Sequence, residues 1–135
     1  IPASFMIAQA AHESGWGKRE ILNKDGSSSF NVFGIKATPG WTGKVAEVQT
    51  TEYVDGKAQR VTAKFRAYGS YEEAFKDYAR MISSNDRYRD VVAKSGTAEG
   101  FARGLQKAGY ATDPEYATKL AKVINTTMRV QRALA

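Results

Sequence analysis

The chain has 135 residues, 42% hydrophobic and 25% charged, the make-up of one ordinary globular domain and not of a disordered or fibrous segment. Without cysteine it can build neither a disulfide nor a thiolate metal site, and a His-rich metal centre or a Ser-His triad would have to rest on His12 alone. No apolar run approaches the ~20 residues of a transmembrane helix, and the net charge of +6 points to a polyanionic partner, whether nucleic acid, an anionic membrane surface or an acidic cell-wall polymer.

The opening Ile1-Pro2-Ala3-Ser4 has neither an initiating Met nor a signal-like segment, so the sequence reads as a piece excised from something longer. Residues 3–14 read as a buried helix. Pro2 suits its start, where a missing N–H costs little, and Gly15 and Gly17 break it. Residues 18–23 are expected to add a short turn of helix, and Asp25-Gly26-Ser27-Ser28-Ser29 has the chemistry of a loop. From Phe30 to Gly43, aromatic residues alternate with Gly and Pro in neither the helical nor the strand period. That pattern predicts an ordered, irregular loop carrying Phe33 and Trp41.

Residues 45–54 and 59–68 are rich in Val, Thr and aromatic residues, and Asp55-Gly56 between them is a strong hairpin signal. A two- or four-residue turn puts Val48, Thr50, Glu52 and Val54 on one face with Val61, Ala63, Phe65 and Ala67; a three-residue loop would reverse this. The remainder is helical. Ser70-Tyr71-Glu72-Glu73 fits a capping box, and the helix it opens lines up Ala74, Phe75, Tyr78, Met81 and Ile82 as a core stripe. Residues 86–95 form a second helix closed by Gly96, and residues 97–108 a third ended by Gly109. Asp113-Pro114 starts the last, with Tyr116, Leu120, Val123, Ile124 and Met128 as its core positions. No internal repeat, low-complexity tract or interdomain linker is present. The expected fold is α+β, mostly α, a single domain over residues 1–135 with a helical lobe and a small β-hairpin lobe.

Glu13 is the first charged residue, taking His12 as neutral. A carboxylate at the end of an apolar helical run is costly to desolvate when ionised, so its pKa is expected to rise. An acid that keeps its proton near neutral pH can protonate a leaving-group oxygen, the task of the general acid in glycoside hydrolysis. The alternative is a helix-end glutamate that reaches water. Glu52, on the apolar face of the hairpin, is at an odd address for a carboxylate unless a Lys or Arg across the strand meets it. A cleft between the lobes would set Glu13 opposite Glu52, an arrangement that suits glycosidic cleavage. Trp16 and Trp41 have faces that can stack on pyranose rings, although each would serve equally as core.

The segment Ala8-Gln9-Ala10-Ala11-His12-Glu13-Ser14-Gly15-Trp16-Gly17 resembles the active-site segment of bacterial glucosaminidases of glycoside hydrolase family 73. Three further blocks agree in order: Asn31-Val32-Phe33-Gly34-Ile35-Lys36, Thr50-Thr51-Glu52-Tyr53 and Gly109-Tyr110-Ala111-Thr112-Asp113-Pro114. Glu-Ser-Gly-Trp-Gly alone is only moderately specific, because lytic transglycosylases share a Glu-Ser start. The four blocks together are highly specific and cover nearly the whole chain. The resemblance implies a lysozyme-like fold whose first helix lies upstream of Ile1. It implies Glu13 as the general acid, Glu52 as the second acidic residue, and Tyr110 as a tyrosine that positions substrate or water. Asn31 and Phe33 of the second block join the two tryptophans as substrate-binding candidates, and no metal or cofactor is called for. His12 departs from the apolar residue expected before the glutamate. Protonated beside the carboxyl, it would lower the acid's pKa.

The activity implied is an endo-β-N-acetylglucosaminidase that cuts peptidoglycan between N-acetylglucosamine and N-acetylmuramic acid. The implied partners are glycan strands and, as for the flagellar members, rod proteins engaged through regions outside this chain. The implied location is the periplasm, where such cutting lets the rod penetrate the wall. A muramidase or lytic transglycosylase is the nearest rival, and against it the chain lacks the Gly-Leu-Met-Gln segment common in those enzymes. A noncatalytic wall-binding module is the third reading. The charge supports it, but Lys and Arg are scattered along the chain, and no nucleic-acid motif is present.

Overall fold

A computed structural model describes residues 1–134. The order is α1 (Ala3–Ser14), β1 (Val45–Val54), β2 (Lys57–Arg66), α2 (Tyr71–Ser84), a 3-10 turn (Asp86–Tyr88), α3 (Arg89–Ala93), α4 (Ala98–Lys107) and α5 (Tyr116–Leu134). The fold is therefore mostly α with one small antiparallel hairpin, as the pattern of elements implied. No helix among the described residues is long and apolar enough to cross a membrane.

The apolar stripes of the helices converge on one core. Phe5 and Ala8 of α1 meet Tyr78 and Ile82 of α2, Phe101 and Leu105 of α4, and Leu120 and Ile124 of α5, all buried. α5 packs along both α1 and α4. Two glycine caps shape the ends that matter most. At the end of α1 the N–H of Trp16 reaches Ala11 O (2.7 Å), and the N–H of Gly15, at φ 58°, faces His12 O (3.4 Å). At the end of α4 Tyr110 bonds Leu105 O and Gly109 bonds Gln106 O, both at 3.0 Å. Each is a Schellman motif, which satisfies the helix's last carbonyls and turns the chain sharply. α2 is capped as its sequence suggests: the Ser70 hydroxyl accepts from Glu73 N (3.2 Å), while the Glu73 carboxylate reaches back one residue further, to Gly69 N (2.8 Å).

In the hairpin, Asp55 and Gly56 both take positive φ (53° and 78°), the two-residue turn whose twist matches the strands. The register pairs Glu52 with Gln59, Thr50 with Val61, Val48 with Ala63 and Ala46 with Phe65. The even-numbered residues of β1 therefore share the inner face with Val61, Ala63 and Phe65, the parity that a two-residue turn requires. Burial is deepest at the base, where Ala46 and Phe65 are buried, and fades toward the tip.

Four boundaries differ from the sequence reading. Residues 18–23 do not form helix: after the turn at Gly15–Lys18 the chain runs extended, and Leu22 pairs with Ser28 across the Asp25-Gly26 turn. Local helix propensity there yields to the loop that the Asn23 and Asp25 side chains stabilise. β2 runs 57–66 instead of 59–68, because the tight turn brings Lys57 into register with Val54. The 86–95 helix splits into the 3-10 turn and the five-residue α3. The last helix starts at Tyr116, since Asp113 accepts from Glu115 N and holds Pro114 in a preceding turn.

Candidate active site

Between the helical lobe and the hairpin lies a cleft of about 960 Å³ whose lining includes Glu13, Glu52, Tyr110 and Tyr116. A smaller hollow of about 570 Å³ between α3 and α4 is lined by Arg87, Lys94, Arg103 and Lys107 with Asp90 as its one carboxylate, and holds no acid–base pair. The chemistry concentrates in the larger cleft.

Glu13 sits in the last turn of α1, where the glycine cap ends the helix and exposes the carboxyl's edge to the cleft. Burial pushes its pKa up to about 7, against smaller opposing effects from the Tyr116 hydroxyl and the Arg19 guanidinium. Tyr116 donates a 2.6 Å hydrogen bond to Glu13 Oε1. The other oxygen, Oε2, faces Gly34, where an added Cβ would stand 3.4 Å away. Gly34 also adopts φ 66°, so a side chain here would strain the backbone and crowd the acid. Behind Tyr116, the Gln9 amide donates to its hydroxyl (3.1 Å), and Tyr78 donates to Gln9 Oε1.

The hairpin wall is built differently. Glu52 Oε1 pairs with the Lys36 ammonium, and Oε2 accepts from the Thr112 hydroxyl at 2.7 Å. Thr112 in turn accepts from Tyr53 N (2.9 Å), tying the loop after α4 to β1. Burial would raise the Glu52 pKa, but Lys36 and Thr112 together outweigh it and hold the carboxyl below its ordinary value. The cleft thus presents one carboxyl that holds its proton up to near-neutral pH and, on the other wall, one that gives its proton up below the ordinary carboxylate range. Such a pair can donate a proton to one oxygen and accept one from another in the same cycle.

The remaining candidates divide. Tyr110 lines the cleft, stacks on Tyr116 (6.1 Å) and donates to Phe33 O (2.6 Å), which fixes the segment carrying Gly34. Phe33 is not at a glycan surface. It is fully buried, stacked on Tyr78 at 4.1 Å, because its loop turns the ring into the helical core. Asn31 is likewise buried; its amide donates to Ile35 O and Arg66 O and accepts from Ile35 N, so its polar atoms are spent on the loop itself. Trp16 is exposed and Trp41 packs beneath the Arg66 guanidinium (4.8 Å), and neither is among the residues lining the cleft. His12 meets the edge of Tyr116 at 5.6 Å. Burial, with Arg19 and Lys119 nearby, lowers its pKa, so at neutral pH it is no cation beside Glu13.

Two residues of the site escaped the sequence reading. Tyr116 was expected in the core, and Gln9 drew no notice. One signal was available: Gln9 stands four residues before Glu13, on the same face of a helix whose other residues from Phe5 to Ala11 are all apolar.

Comparisons with known proteins identify the family. The family described as glucosaminidase (mannosyl-glycoprotein endo-beta-N-acetylglucosaminidase) matches residues 1–129. The peptidoglycan hydrolase FlgJ of Salmonella typhimurium is 53% identical over 124 residues, which is 92% of this chain and 39% of that protein. The chain therefore spans well under half the length of that relative. A crystal structure of a peptidoglycan hydrolase mutant from Sphingomonas sp. A1 matches with a TM-score of 0.90 at 53% identity, covering 98% of this chain and 85% of that one. A C-terminally truncated glycoside hydrolase domain of Salmonella typhimurium FlgJ matches with a TM-score of 0.72 at 51% identity, covering 96% and 85%. With a family match over nearly its whole length, the chain belongs to the glucosaminidase family.

Proposed function

We propose that this domain is a peptidoglycan hydrolase, an endo-β-N-acetylglucosaminidase that cleaves between N-acetylglucosamine and N-acetylmuramic acid. The observation that carries the reading is the Glu13 carboxyl, buried on the cleft wall with its pKa pushed up to about 7, and Glu52 on the opposite wall held below its ordinary value. In this reading Glu13 gives its proton to the glycosidic oxygen as the bond to the anomeric carbon breaks. Glu52 stabilises the positive charge that develops at that carbon and accepts the proton of the water that adds there. The water's other proton stays on the new anomeric hydroxyl; Glu52 then releases its proton to solvent and Glu13 takes one up, which restores the site. Tyr110 supports the segment that brings Gly34 against the acid. The FlgJ relatives are named peptidoglycan hydrolases, which supports a cell-wall substrate; a periplasmic location and a role in passing the flagellar rod through the wall belong to the same proposal. Rod proteins would be engaged by parts of the protein beyond this chain.

The test is mass spectrometry of soluble fragments after purified peptidoglycan is digested, with borohydride reduction of new ends. The wild type should release reducible N-acetylglucosamine ends, and Glu13→Gln should release them at least a thousandfold more slowly, about 4 kcal/mol in barrier. Reducible or anhydro muramic ends would move the chain to muramidase or lytic transglycosylase chemistry. Full turnover by Glu13→Gln would remove the acid from the mechanism.

A further inference from the structure

Tyr78, Gln9, Tyr116 and Glu13 form an unbroken hydrogen-bonded chain running from the core of the helical lobe to the cleft. Tyr78 and Gln9 are fully buried and Tyr116 is 2% exposed, so none can exchange its partner for water. We infer that this chain is a directional relay that pins the acid proton of Glu13 to Oε2, making Tyr116 and Gln9 positioning residues for the acid.

The argument is one of donors and acceptors, and it rests on the reading of Glu13 as general acid. A carboxamide has one end that only accepts and one that only donates. Tyr78 donates to Gln9 Oε1, so the amide nitrogen must face Tyr116, and it donates to the Tyr116 oxygen. The Tyr116 proton then has one partner left, Glu13 Oε1, which must accept it. When the carboxyl is protonated, its proton is therefore on Oε2, the oxygen that faces Gly34. The reverse amide orientation would invert every step. Tyr116 would donate to Gln9, and Glu13 would have to donate from Oε1 into the core, away from substrate.

The other groups that act on this carboxyl are the Arg19 guanidinium, the phenols of Tyr78 and Tyr110, and beside it His12 with the Asp113–Lys119 ion pair beyond. Among the described residues only the Tyr116 hydroxyl makes a hydrogen bond to the Glu13 carboxyl. Two orientations of one amide thus give opposite signs. In the assigned one, Tyr116 donates to the carboxylate and favours its charged form, so removing the hydroxyl raises the Glu13 pKa. In the reverse one, the bond favours the neutral form, and removal lowers it.

The experiment is Tyr116→Phe, which keeps the ring against Tyr110 and His12 and deletes only the hydroxyl. The Glu13 side-chain carboxyl is titrated by ¹³C NMR, assigned by its loss in Glu13→Gln, and kcat on soluble peptidoglycan fragments is followed against pH. The inference requires the pKa to move up from about 7 by about half a unit or more, and kcat to fall about tenfold on the plateau. An unchanged or lowered pKa overturns it. Gln9→Met, close in volume and without the amide, should lower kcat in the same direction by a smaller factor and provides the test if Tyr116→Phe does not fold. Hydrolysis retained by Glu13→Gln would sink the general-acid reading alone, since the NMR titration reports on the relay without turnover.

Discussion

On the helical wall of the cleft, Glu13 is enclosed by tyrosines and touches a hydroxyl from inside the core; on the hairpin wall, Glu52 meets an ammonium and a hydroxyl at the edge of solvent. The same side chain is pushed up to about 7 in one place and held below its ordinary value in the other. Desolvation is the largest effect at both sites, and it acts on the more deeply buried carboxyl at Glu13. The rest of the separation comes from Lys36 and Thr112 beside Glu52, for which the Glu13 site substitutes a phenol and a more distant Arg19. A helix end packed among aromatic rings keeps charges out, whereas a two-stranded ribbon leaves one edge open to a lysine.

The contrast can be broken most severely from the core side. Phe33→Ala removes a fully buried ring stacked on Tyr78 and set edge-to-face against Phe75, and should cost about 3–5 kcal/mol of stability in urea unfolding. It should also let water toward Glu13 and lower its pKa. Next comes the dependence of stability on pH. A carboxyl raised from 4.5 to about 7 contributes fully to stability below pH 4.5 and loses that contribution as pH rises through 7. At ~1.4 kcal/mol per unit the loss is about 3 kcal/mol. Glu13→Gln should lack this slope, so its stability advantage over the wild type should grow between pH 4.5 and 7 in thermal unfolding. The smallest effect is on the hairpin wall. Lys36→Met leaves burial to act on Glu52 with only Thr112 opposing it, and should move the acid limb of kcat/KM upward. The loss at pH 5 should be only a few-fold, since Lys36 is half exposed and solvent already screens it.

Much of the frame was legible because its signals are local. The glycine cap after α1, the Asp55-Gly56 turn, the Ser70 cap and the Asp113 turn are each written within four residues, and the hairpin's parity followed from turn length alone. Glu13 and Glu52 stood out as carboxylates in apolar patterns, and the fold brings both to one cleft with Tyr110. What sequence could not supply was direction across long separations. Tyr116 meets Glu13 across 103 positions and Gln9 meets Tyr116 across 107, so Tyr116 read as one more core residue. Phe33 and Asn31 lie in an irregular loop with no period to say which side faces inward, and both turn in. The tryptophans differ in a way sequence does not show, since a large exposed ring and one engaged by a guanidinium look alike there.

Thr112 accepts from Tyr53 N and donates to Glu52 Oε2 through one hydroxyl, so its bond to Glu52 both helps attach the hairpin to the loop after α4 and sets the proton affinity of Glu52. Since that bond lowers the pKa of Glu52, reciprocity requires that protonating Glu52 loosen the attachment by the same free energy. Acid therefore does two things to this domain at once, discharging one wall and slackening the strap between its lobes.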